Sequence, residues 1–227
     1  MINYHPEARF LTDYAAGSLP PSQALCVAAH LHYCASCRSR VGELQELGAE
    51  LFCNQTPVAV KDSEFSRLMQ RIQDASSVQE SRDEPYVIPT RGFTSLLPRA
   101  LNKLTNGNLD SLRWRQIGRN FRITALKLGD PQRETSLFFI KAGGSVPTHQ
   151  HRGDEITVIL KGSFSDMEGK YSVGDFVVRT QGETHRPVAS QDQDCLCLAT
   201  LDAPIRMNNV LLRLALYFIN WRTPQAA

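Results

Sequence analysis

Residues 30–40 read HLHYCASCRSR, so two histidines and two cysteines fall within eight positions. Imidazole nitrogen and thiolate sulfur are the donors that Zn2+ takes in tetrahedral sites. His30, Cys34 and Cys37 form H-x3-C-x2-C. If a helix reaches Cys34, His30 sits one turn before it on the same face. Cys37 then folds back through a tight turn into the next helix. A closed site needs a fourth donor, and His5, Cys26, His32 and Cys53 are the candidates. His32 is the poorest, because a residue two positions from His30 points to the other side of a helix. Cys26 is one turn before His30, and His5 would tie a further helix to the others.

A second group lies in GGSVPTHQHRGDEITVILKG, residues 143–162. His149 and His151, two apart, project from the same face of a strand. Glu155, beyond a turn at Arg152–Asp154, can approach from the neighbouring strand. Such nitrogen and oxygen donors suit Zn, Fe, Mn or Ni, and spacing does not choose among them. Cys195 and Cys197 form C-x-C in a third place. Alternation puts both thiols on one face, with Cα atoms near the upper limit for a disulfide. They are read either as two small buried residues or as a strained, reducible pair. Cys26 and Cys53 are otherwise expected in the core.

The elements that must position these groups differ between the two halves of the chain. PEARFLTDYAAG places Phe10, Leu11 and Tyr14 at helical spacing, with Gly17 as a stop. Pro20-Pro21 resets the chain into a second helix, SQALCVAAHLHYC. RSRVGELQELGAELF gives a third, with Val41, Leu44, Leu47 and Leu51 in register. DSEFSRLMQRIQDA opens on a capping residue, Asp62 or Ser63, and lines Phe65, Leu68, Met69 and Ile72 along one face. Short helices of this kind bury little core, so a staple would help them. Residues 76–89 are polar, charged and proline-punctuated, the composition of a linker. Beyond Trp114 come short β-rich runs (FRITALKL, TSLFFIKAGG, EITVILKG, FVVRTQG and CLCLATL) between turn residues. That spacing predicts a sandwich or barrel. Val210–Trp221 is read as a closing helix or strand, the helix being preferred.

The 227 residues fit two small domains, and a net charge of +2 gives no general drive toward nucleic acid. Between Arg91 and Arg133 nine Lys/Arg face two Asp, but no nucleic-acid recognition motif accompanies them. The first ten residues lack a signal-peptide pattern, and the longest apolar run, VLLRLALYFINW, is too short to span a membrane. A cytoplasmic chain keeps its thiols reduced, where cysteine clusters more often bind metal than form disulfides.

The H-x3-C-x2-C pattern in a small helical region, with a histidine about 25 residues upstream, resembles the zinc-binding anti-sigma domain. That resemblance implies zinc on His5, His30, Cys34 and Cys37, in a bundle that keeps an alternative sigma factor from RNA polymerase. Gly143, His149, His151, Glu155 and Gly162 fit G-x5-H-x-H-x3-E-x6-G, which resembles the first motif of the cupin barrels. GDFVVRTQGETH resembles the second, with Gly174, Gly182 and His185 in place. Thr180 replaces that motif's proline and Ala189 its asparagine, which bears on turn rigidity and outer contacts more than on ligation. The implied set is His149, His151, Glu155 and His185 around a second divalent metal, zinc first, with iron, manganese or nickel as alternatives.

In this order the two modules are similar to ChrR-type anti-sigma factors. The resemblance implies a small all-α zinc-stapled bundle over residues 1–75, a linker over 76–108 and an all-β cupin (double-stranded β-helix) barrel over 109–227. It implies a non-enzyme that binds an extracytoplasmic-function (group IV) sigma factor one to one. That partner would be released in response to singlet oxygen or related oxidants, including organic hydroperoxides, without direct contact to nucleic acid or membrane. The alternative is a metal-dependent cupin dioxygenase with an N-terminal docking domain.

Overall fold

The structure, a computed structural model, describes residues 2–59, 61–75 and 97–207. The segment 210–221 and the connector residues 76–96 lie outside the described residues. Four helices come first: α1 (Ala8–Ala15), α2 (Pro21–Tyr33), α3 (Ala35–Cys53) and α4 (Asp62–Ala75). Gly17, at φ +70°, ends α1 in the left-handed conformation, and Pro21 opens α2 in its first turn, where a missing N–H costs nothing. Only Cys34 separates α2 from α3, and its extended backbone (φ −102°, ψ 104°) makes the corner. Within the stretch expected as linker, α5 (Arg99–Thr105) is a short helix whose fully buried Leu101 belongs to the main core.

The rest is β-rich. β1 (Arg115–Ile117), β2 (Phe121–Leu126), β3 (Glu134–Ile140), β4 (His149–Gln150), β5 (Glu155–Lys161) and β6 (Ser163–Ser165) are followed by six more strands. These are β7 (Lys170–Ser172), β8 (Phe176–Arg179), β9 (Thr184–His185), β10 (Val188–Ala189), β11 (Cys195–Leu201) and β12 (Arg206–Met207). One six-stranded sheet runs β1-β2-β3-β11-β5-β8, and two three-stranded sheets run β10-β6-β7 and β12-β4-β9. The pairings are antiparallel throughout.

Both faces of the large sheet are covered. On β11, Leu196 and Leu198 join Leu137, Phe139, Ile156 and Val158 against the helices, while Cys195 and Cys197 face inward with Phe121, Ile140 and Ile159. A strand buried on both faces reads as a continuous apolar run, which explains CLCLATL and ITVIL. The cover on the outer face is α2. Ser22, Leu25, Cys26, Val27, Ala29, His30 and Leu31 are all buried, because the helix lies between its neighbours and the sheet. The two modules therefore share one core.

α3 and α4 are different. Val41 is buried, but Leu47, Leu51 and Phe52 are 52%, 59% and 79% exposed, because α3 runs on past the bundle. Cys53, expected in the core, is exposed at its end for the same reason. The apolar face of α4, with Phe65, Leu68, Met69 and Ile72, also faces outward.

Candidate metal centres

The corner at Cys34 builds the first centre. It carries Cys34, one turn beyond His30, off the end of α2 and brings Cys37 back in the first turn of α3. His5, on the extended arm before α1, completes the group, and ligand atoms of His5, His30, Cys34 and Cys37 all lie within 4.8 Å of one another. His5 Nδ1 is 3.4 Å from each sulfur. His30 is fully buried, and its Nδ1–H donates to the Gly174 carbonyl at 2.6 Å. That bond leaves Nε2 as the bare nitrogen, and it is a buried atom with no hydrogen-bond partner. An orphaned lone pair beside two sulfurs and a second imidazole fits a thiophilic cation.

Protonation favours the same use. Burial and the nearby His5 lower the His30 pKa against the weaker pull of its Gly174 bond, so the ring is neutral at pH 7. Burial works against a thiolate at Cys34, but hydrogen bonds involving Ser36 and Cys37 outweigh it and draw the pKa below the usual thiol value. Burial and the neighbouring Cys34 push Cys37 up to about 11. Of the two thiols, Cys34 is thus the more readily ionised. Cys26 is fully buried and His32 is exposed, and neither belongs to the converging group.

The second centre is set by strand register. In the β4–β9 pair His149 lies directly opposite His185, and His151 follows one step past the end of β4. The Nε2 atoms of His149 and His151 are 3.0 and 3.1 Å from that of His185. His149 Nδ1–H donates to the Pro147 carbonyl at 2.9 Å, and His185 Nδ1–H donates to the Asp166 carboxylate at 3.0 Å. Both rings therefore turn lone pairs toward each other, an arrangement that a bridging cation relieves. Burial, ahead of repulsion from the neighbouring imidazoles, pushes His151 and His185 down to about 4, keeping them neutral as ligands must be.

Glu155 does not fall within this converging triplet. Its Oε1 accepts the Thr157 hydroxyl at 2.6 Å, and its Oε2 stands 3.5 Å from His151 Nδ1. It shares with His149 and His185 the wall of an apolar cavity of about 170 Å³, lined also by Phe121, Phe138, Ile140, Val146 and Phe164. Cys197 reaches this cavity too, its sulfur 3.5 Å from that of Cys195, both thiols free.

No motif announced the groups around these ligands. The Asp166 side chain is fully buried and is held by Arg179 at 2.7 Å, while Arg179 also reaches Glu168 at 2.5 Å and the Tyr171 hydroxyl at 2.6 Å. Burial alone would raise the Asp166 pKa, but Arg179 and His185 overcome it and keep the carboxyl ionised.

A short helical module carrying a His/Cys cluster, joined to a cupin-like module with a triplet of histidines, defines a two-part class of metal-associated proteins. A zinc-finger family model matches residues 9–38, and the ChrR Cupin-like domain model matches residues 103–203. The chain is 35% identical over 213 residues to the anti-sigma-E factor ChrR of Cereibacter sphaeroides, covering 94% of this chain and 96% of the relative. It therefore belongs to the ChrR family of anti-sigma factors. The crystal structure of Rhodobacter sphaeroides SigE in complex with the anti-sigma ChrR matches with a TM-score of 0.71 and 32% identity, over 88% of this chain and 99% of that one. These relatives are regulators, which sets aside the dioxygenase alternative. No helix among the described residues is long and apolar enough to cross a membrane.

Proposed function

We propose that this chain is a cytoplasmic anti-sigma factor that binds an extracytoplasmic-function (group IV) sigma factor one to one and withholds it from RNA polymerase. The observation that carries the reading is the outward apolar surface of α3 and α4. Leu51, Phe52, Phe65 and Leu68 are each at least half exposed. Neighbouring apolar side chains left in water on an amphipathic helix mark a surface awaiting a partner, and a helix laid in a groove is a common mode. Residues 1–75 hold sigma, residues 76–108 connect, and residues 109–227 receive the signal, singlet oxygen or a related oxidant.

Zinc on His5, His30, Cys34 and Cys37 would staple the arm, α2 and α3, adding its binding free energy to the stability of the bundle. In the cupin barrel, His149, His151 and His185 would hold a second divalent ion with Glu155 as the adjacent carboxylate. Zinc is the first candidate there, and iron, manganese and nickel suit the same donors. The chain's own part is to present neutral imidazoles, fix their tautomers through Pro147 and Asp166, and keep the cavity apolar.

Co-expression with the candidate group IV sigma factors of the same genome tests this. The expected result is a one-to-one complex that abolishes sigma-dependent transcription in vitro and dissociates after exposure to singlet oxygen. Absence of any complex across that set overturns the proposal.

A further inference from the structure

Two of the four residues in the His/Cys cluster take part of their positioning from the cupin-like module: His5 through the arm that carries it, and His30, a residue of α2, through its ring nitrogen. His5 lies on no helix. Its arm is laid over the turn Val173-Gly174-Asp175 between β7 and β8. The Asp175 carboxylate is fully buried; its Oδ1 accepts the backbone N–H groups of Asn3 and Tyr4 at 2.8 and 3.1 Å, and its Oδ2 accepts that of Ser172 at 2.8 Å. The Phe176 N–H returns a bond to the Tyr4 carbonyl at 2.9 Å. The Tyr4 ring packs on Tyr171 with centroids 4.7 Å apart.

The same turn fixes His30 through the Gly174 carbonyl, at 2.6 Å. Gly174 has φ +90°, and a Cβ there would come within 2.7 Å of Ile2 Cδ1 and 2.8 Å of Tyr33 Cβ. The missing side chain is what lets the arm and α2 close on the turn together. Where a histidine binds a metal, the group that receives its other N–H sets ring orientation and basicity, and losing such a partner typically weakens affinity by about 10- to 100-fold.

We propose that the N-terminal metal centre is a two-module site, in which Asp175 and Gly174 of the cupin-like module are positioning residues for His5 and His30. The module that receives the signal thereby sets the metal affinity of the module that holds sigma. A continuous set of contacts reaches the other centre from the same arm: Tyr4 on Tyr171, the Tyr171 hydroxyl 3.3 Å from Asp166, and Asp166 3.0 Å from His185.

The inference rests on zinc being held by His5, His30, Cys34 and Cys37, and the experiment separates the two claims. Zinc affinity is measured on the full-length chain by competition with a chromophoric chelator, for wild type, Asp175→Asn and Tyr4→Ala. Tyr4 is an arm residue, so its truncation leaves the cupin-like module standing if Asp175→Asn disturbs that module. Metal content at the histidine triplet and the Co2+ spectrum at the cysteine site are recorded alongside. Expected are an affinity about tenfold weaker or more in Asp175→Asn, a smaller loss in Tyr4→Ala, and an altered Co2+–thiolate spectrum in both. Wild-type affinity in both variants overturns the two-module site, as does a loss in Asp175→Asn alone that tracks collapse of the cupin-like module. A wild-type chain that holds no zinc at the cysteines overturns the metal assignment itself.

Discussion

The Nε2 atoms of His149 and His185 stand 3.0 Å apart, and each ring already spends its other nitrogen on an oxygen acceptor. In protein stripped of metal, the burial of His151 and His185 makes stability pH-dependent. His151 and His185 titrate near pH 4 when folded against 6.5 as the ordinary value, so between those limits the unfolded chain binds more protons. Their contribution is complete above about pH 6.5 and is lost as the pH falls toward 4. Thermal melts of the stripped protein should show Tm falling across that window, and His185→Ala should flatten the fall. An unchanged slope counts against neutral burial of these rings.

Asp166 is the counter-charge of a buried arginine as well as the partner of His185. Among the described residues, Asp166→Ala leaves Arg179 with Glu168 and, at 3.9 Å, Glu183 as acidic partners, both more exposed. Removing one side of a buried pair costs about 3–5 kcal/mol. Chemical denaturation should show a loss near the low end of that range, because Glu168 remains. The less disruptive Asp166→Asn should lower metal affinity at the histidine triplet by about tenfold or more, read by chelator competition.

Phe65 and Leu68 are 62% and 51% exposed on α4. Phe65→Ala or Leu68→Ala should leave Tm within about a degree or two of wild type while weakening sigma binding by at least tenfold, as central apolar anchors do. Titration calorimetry on purified sigma factor checks both halves of the statement. A drop in Tm without loss of binding would place the partner surface elsewhere.

Of six cysteines, only Cys53 is exposed. Brief alkylation of the native, metal-loaded protein should add one label, at Cys53. After chelation Cys34 should react next, since its pKa is drawn down while burial and its neighbour raise that of Cys37. Peptide mass mapping distinguishes the order. Early labelling of Cys34 before chelation would contradict a metal on that sulfur.

What the sequence disclosed follows from how local each signal is. Two-residue alternation places His149 and His151 on one face, and a one-turn offset places His30 with Cys34, so both half-sites are legible from spacing alone. His5 and His185 are non-local and needed family resemblance. Asp166, Arg179 and Asp175 act through contacts between distant strands and leave no pattern. Cys53 looked like core because α3 keeps its apolar spacing beyond the point where the bundle ends. The missed cue was in α2: SQALCVAAHL is apolar around most of its circumference, as expected of a helix covered on more than one side. That is the reason the sheet lies against it, and the reason α5 within the expected linker is structured.

The junction at Cys34 leaves no slack between two helices. α3 has 19 residues, so it reaches roughly 28 Å from that pivot to its tip. A tilt of about 10° there sweeps Phe52 through roughly 5 Å by the same geometry, as much as a full helical turn. The sulfur that would anchor the ion also sits at the fulcrum of a long lever, so a small rotation there is magnified toward its exposed far end.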